Sequence, residues 1–94
     1  MIKKGIFDYI KQRLSAMGLN MKSADIRYAY VAYYIYVDEF PGYFSLKKMF
    51  AHVIKENEMQ VELETFERSF FRTRDKLIKL GYDDDINAIV ERLR

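Results

Sequence analysis

The stretch Ala24 to Phe40, ADIRYAYVAYYIYVDEF, constrains this chain more than any other. It carries five of the eight tyrosines and no charged residue from Tyr28 to Val37. Its β-branched and aromatic residues suit a strand. A half-buried strand, however, alternates apolar with polar residues. This run does not alternate, and it is too long for a typical buried strand. The pattern predicts a helix, with Asn20 and Ser23 upstream as caps and Pro41-Gly42 as the stop. A helix that is apolar on every side must be buried on every side, so the stretch reads as the central helix of a small domain. It falls short of the roughly 20 apolar residues that a bilayer span needs.

A chain of 94 residues, half of them hydrophobic, predicts one domain over 1–94 with a modest core. It has no cysteine, which excludes disulfides, thiolate catalysis and zinc–cysteine sites and fits a reducing cytoplasm. Met1-Ile2-Lys3-Lys4-Gly5 has the charge of a signal peptide, but Asp8, Lys11 and Arg13 interrupt any apolar run after it. Neither export nor membrane insertion is expected. A net charge of +2 and a pI near 8.8 are compatible with a nucleic-acid partner, but the distribution of charge decides more than its sum.

Ile6, Phe7, Ile10, Leu14 and Met17 recur at helical spacing over Ile2 to Met17, and Gly18 suits the position just past a helix end. Lys3, Lys4, Lys11 and Arg13 lie off that stripe, as a solvated face would. Beyond the central stretch, Pro41 to Phe44 reads as a turn. Ser45 caps a third helix to about Asn57, with Leu46, Met49, Phe50, Val53 and Ile54 as its apolar face. A connection over Asn57 to Val61 leads to a fourth helix, about Glu62 to Leu80. Gly81 ends it, and Tyr82 is placed to pack back on its last turn. Asp83-Asp84-Asp85 caps a last short helix with Ile86, Ile89, Val90 and Leu93 on one side. The expectation is an all-α domain of about five helices. Two helices joined by a short turn, the second long and cationic, match a helix-turn-helix unit over about 45–80.

On the fourth helix, Leu63, Phe66, Phe70, Thr73, Leu77 and Leu80 fall on one side. Arg68, Arg72 and Lys79 fall on the opposite side, with Lys76 at the edge. Glu62, Glu64 and Glu67 are confined to the first turns, where they favour the positive end of the helix dipole. Arginines on such a face can bind phosphates or pair with guanine edges in a major groove. The same residues also fit an ordinary solvated face laced with salt bridges, such as Arg68 with Asp75. Phe71 and Ile78 sit on the flank of the apolar stripe. They read as core covered by the first helix, with a subunit contact as the alternative. Arg74 also lies near the apolar side, its stem along the core edge and its head in water.

Thr65-Phe66-Glu67-Arg68-Ser69-Phe70, with Gly81 closing the helix, resembles the recognition helix in the C-terminal effector domain of the stage-zero sporulation response regulator. Gly18-Leu19 matches the end of that family's first helix. Ile26, Tyr28 and Ala32 match positions in its next helix, and Ser45, Leu46, Lys48 and Ile54 match the helix before recognition. The likeness covers most of Ile6 to Gly81 with about one insertion. It implies an all-helical domain that pairs on tandem DNA sites and regulates transcription, with Glu67 and Arg68 as groove residues and Arg72 as a further polar contact. Phe71 stands where the family has a DNA-contacting arginine, and Phe50-Ala51-His52 stands where it has leucine-tyrosine-proline. No phosphoacceptor receiver domain is expected within 94 residues. A relative that binds protein instead would show the same departures.

The expected DNA-binding residues are therefore Thr65, Glu67, Arg68, Arg72, Lys76 and Lys79, on double-stranded DNA, without cofactor, catalysis or membrane attachment. The alternative is a protein-interaction module or inhibitor, homodimeric or bound to a protein partner, that uses the same helices without DNA. His52, the one histidine, has no second histidine or cysteine to complete a transition-metal site. Asp83-Asp84-Asp85 lacks the spacing of a calcium loop. No glycine-rich phosphate loop is present, nor a nucleophile placed with a base.

Overall fold

The computed structural model describes residues 2–39 and 45–94, and every regular element among them is helical. Helix α1 spans Lys4–Ala16, α2 Ile26–Tyr36, α3 Leu46–Glu56, α4 Leu63–Lys79 and α5 Ile86–Leu93. The protein is an all-α domain, as the apolar periodicities predict. Among the described residues no helix is long and apolar enough to cross a membrane.

The tyrosine-rich stretch forms the hub, because α2 packs against each of the other four helices. Tyr28, Ala29, Val31, Ala32, Tyr33, Tyr34 and Ile35 are buried, while Ile26, Arg27, Tyr30 and Tyr36 reach partway to solvent. Three of its rings set the contacts. Tyr33 stands edge-on to Phe7 of α1, with centroids 6.1 Å apart, and its hydroxyl accepts a 2.8 Å hydrogen bond from the Lys3 N–H. Tyr28 stacks on Phe70 of α4 at 4.9 Å. The Tyr34 hydroxyl accepts from the Asn57 side chain at the end of α3, and its ring meets His52 edge-on. Offset and edge-on arrangements are the ones that aromatic quadrupoles favour.

The helix starts differ in part from expectation. Ser45 caps α3, its Oγ accepting from Lys48 N–H, and Asp85 caps α5, accepting from Asn87 N–H. At α2, however, Asp25 holds the N-cap position rather than Asn20 or Ser23, and its side chain makes no capping bond. Asn20 and Ser23 instead shape the preceding turn, with Ser23 Oγ donating to the Asn20 carbonyl at 2.9 Å.

The helix ends share one device. At α1 and α4 a left-handed glycine, Gly18 or Gly81, follows the last turn. Gly18 and Leu19 then donate back to Ser15 and Leu14, and Gly81 and Tyr82 to Ile78 and Leu77. This is the paired closure expected after a helix terminus. Helices α2 and α3 close identically without glycine, using Asp38 at φ 59° and Glu58 at φ 50°. The central helix therefore stops before Pro41-Gly42. That dipeptide, and the turn expected over Pro41 to Phe44, lie outside the described residues.

Helix α5 belongs to the core through Ile86, Ile89, Val90 and Leu93, all buried. Its last carbonyls are satisfied from α1, where Tyr9 Oη donates to Leu93 O at 2.7 Å and Arg13 Nη2 donates to Arg92 O at 3.2 Å. Arg13, off the apolar stripe, thus completes a helix terminus that would otherwise keep unpaired acceptors.

Candidate nucleic-acid interface

Helix α4 is laid on the core by Phe66, Phe70, Thr73 and Leu77, all buried, with Ser69 buried at the edge. Phe50 of α3 locks it from one side, its ring 5.4 Å from Phe66 and 4.9 Å from Phe70. The connection between the two helices, residues 57–62 with its caps, is longer than the roughly three to four residues of a tight helix-turn-helix turn.

With this face fixed, the 100° step per residue turns Thr65, Arg68, Arg72, Lys76 and Lys79 outward, and all five are exposed. Glu67 is half-buried on the flank near Phe71 and Arg74. The salt bridge expected between Arg68 and Asp75 does not form. Asp75 pairs with its neighbour Arg74 at 3.1 Å instead. Among the described residues no carboxylate lies within salt-bridge reach of Arg68, Arg72 or Lys79.

Lys76 differs from these three. Its Nζ lies 2.7 Å from Asp25 Oδ2 at the head of α2. Asp25 is buried and also accepts from Thr73 Oγ1 at 2.8 Å and from the Asn20 N–H at 2.9 Å. Burial alone would push its carboxyl up. The Lys76 hydrogen bond, the Asn20 N–H, the Thr73 hydroxyl and the Lys76 charge outweigh that and hold it below its ordinary value. Lys76 is therefore a neutralised docking residue as well as a member of the outer face.

The flank of α4 departs from expectation in two places. Phe71 is covered by Phe50 of α3, at 6.0 Å, and by the Arg74 guanidinium, 4.8 Å above its ring, rather than by α1. Ile78 is not core: it is 43% exposed, and Leu80, expected on the apolar stripe, is 50% exposed. Leu80 lies over Gly18 at the end of α1. Arg74 follows expectation in part: its Nη2 pairs with Asp75 at the surface, but its guanidinium lies over Phe71 and its Nε is buried without a hydrogen-bond partner among the described residues.

Two polar residues beside this face escape a reading of helix periodicity. Arg27 of α2 donates a 2.6 Å hydrogen bond from Nη1 to Ser69 Oγ, and Ser69 Oγ donates to the Thr65 carbonyl at 3.0 Å. Asp25 and Arg27 are the only charged residues in the first thirteen of the tyrosine-rich stretch, and that isolation was the available signal. The remaining acidic run is occupied locally: Asp83 Oδ1 accepts from the Asp85 N–H, and Asp85 caps α5. Among the described residues no three potential metal ligands are grouped to hold an ion. No protein-family model, curated protein or solved structure matches this chain.

Proposed function

We propose that the protein is a small cytoplasmic DNA-binding regulator of the helix-turn-helix type, without cofactor or catalytic activity, in which α4 reads double-stranded DNA. One observation carries this reading. Arg68, Arg72 and Lys79 line the outer face of α4 with no carboxylate partner among the described residues, while the nearest candidate, Asp75, pairs elsewhere. Uncompensated cations on a helix whose opposite face is locked to the core suit phosphates and guanine edges. The likeness to the sporulation-regulator effector domain centres on the same helix and supports the same reading.

Anisotropy titrations with duplex DNA at two salt concentrations test it. Affinity should fall with salt at about 0.9 logarithmic units per neutralised phosphate. Absence of binding to any duplex at low salt removes the proposal.

A second reading, a protein-interaction module that is homodimeric or bound to another protein, is favoured by the exposure of Ile78 and Leu80 at the end of α4. Light scattering decides for a homodimer, and a nuclease-resistant pull-down decides for another protein. A strict monomer without a protein partner removes it.

A further inference from the structure

The cationic face does not end with the residues of α4. Arg27 sits in the first turn of α2, half-buried, and reaches across to Ser69. Ser69 lies three residues from Arg72 and four from Thr65, which makes those two its neighbours on the helix surface, while Arg68 stands about 100° further round. The bond from Arg27 to Ser69 therefore delivers a guanidinium from a second helix to the margin of the outer face, on the side of Thr65 and Arg72. Its acceptor is a neutral hydroxyl, so the charge is held but not cancelled. Lys76 provides the contrast one turn further on, where the buried carboxylate of Asp25 cancels the charge.

The chemistry of this arrangement is specific. A guanidinium has five N–H donors, and the Ser69 bond uses one. The others remain in a planar fork that matches two phosphate oxygens. The serine fixes the side chain before any ligand arrives, which lowers the ordering cost of binding. A side chain on α2, behind the groove-facing helix, is suited to the strand backbone rather than to base edges.

We propose that Arg27, oriented by Ser69, is a phosphodiester anchor that binds the DNA backbone beside the groove entered by α4. The inference rests on the DNA-binding reading of α4 and adds to it a second element of the interface.

The test compares wild type, R27Q and R27K on several unrelated duplexes across a salt series, with melting temperature measured for each. Glutamine keeps a polar side chain but carries no charge, and lysine restores the charge. R27Q should flatten the salt dependence by about 0.9 logarithmic units, one phosphate contact, and weaken all sequences alike. R27K should recover the wild-type slope. If wild type binds DNA and R27Q keeps the wild-type slope, Arg27 is a structural tether and the anchor is refuted, while the α4 reading stands. A loss confined to some sequences makes Arg27 a base reader and also refutes the anchor. If wild type binds no duplex, both readings fail together. Should R27Q prove unfolded, S69A, which releases the guanidinium, takes its place: weaker binding to all duplexes alike carries the proposal, and unchanged affinity and slope overturn it.

Discussion

Thr73, in the middle of α4, donates a 2.8 Å hydrogen bond to Asp25, the residue that precedes α2. The contact spans 48 residues of sequence and is buried on both sides. With Lys76 and the Asn20 N–H on the same carboxylate, it clamps the outer helix to the central one. Asp25→Asn replaces an ionised acceptor by an amide and should cost about 1.5–3 kcal/mol at neutral pH, the value of hydrogen bonds to charged groups. The folded-state pKa of Asp25 is depressed. Its contribution is therefore complete above the ordinary carboxylate value, about 4, and is lost as pH falls through the lower folded value. Urea denaturation from neutral pH downward checks this. The gap between wild type and Asp25→Asn should narrow below about pH 4.

Arg68 and Arg72 lie one turn apart on the exposed face of α4 and away from its packed side. Alanine at either position should leave stability within about 0.5 kcal/mol. If they contact base edges, each loss costs about 1–3 kcal/mol of DNA affinity and relaxes preference at one base pair. If they touch only phosphates, all sequences weaken alike and the salt slope becomes shallower. Phe70→Ala serves as the control on the opposite face. That buried ring stacks on Tyr28 and packs on Phe50, and its removal should cost about 3–5 kcal/mol of stability. Melting temperature and DNA affinity of the three variants separate the two faces. Folded arginine variants with unchanged binding would exclude α4 as the reader.

Local chemistry made most of the helices legible from sequence. Gly18 and Gly81 mark the ends of α1 and α4 because only glycine enters the left-handed region without cost, and Ser45 and Asp85 mark starts because their side chains accept from the next turn. Asp38 and Glu58 serve the same role as those glycines, but their residue types give no such signal. The outward position of Arg68 and Arg72 followed from periodicity alone. Their lack of carboxylate partners did not, because whether Asp75 turns to Arg68 or to Arg74 is a rotamer choice. The bonds from Thr73 to Asp25 and from Arg27 to Ser69 join residues more than 40 positions apart, so no local pattern reports them. Ile78 misled for a related reason: a flank position is core only when a neighbouring helix covers it, and coverage is decided by tertiary packing.

Glu58 closes α3 in the left-handed region at φ 50° and is exposed. A side chain there costs roughly 1–2 kcal/mol, and glycine removes that strain while giving back part of it as extra entropy in the unfolded chain. Glu58→Gly should therefore stabilise the protein by about 0.5–1 kcal/mol. For a domain of this size that is a rise in melting temperature of about 2–8 °C, which calorimetry resolves. A fall would show that the Glu58 side chain contributes more than its backbone strain costs.

Gly18 and Leu80 meet where the ends of α1 and α4 converge. A Cβ built on Gly18 would come within 2.9 Å of Leu80 Cδ1, and the residue holds φ +107°. Gly18→Ala therefore faces a steric contact and a strained backbone together. The two differ in how easily they relax. Leu80 is half exposed, and the atom in the way is the end of a flexible side chain that can turn toward water. The backbone cannot relax without breaking the bonds by which Gly18 and Leu19 close α1. Strain should therefore dominate, at about 1–3 kcal/mol. Leu80→Ala in the Gly18→Ala background separates the terms by a double-mutant cycle. If strain dominates, removing the leucine recovers little of the loss. Recovery of most of the lost stability would instead identify the Leu80 contact as the reason that glycine is needed at position 18.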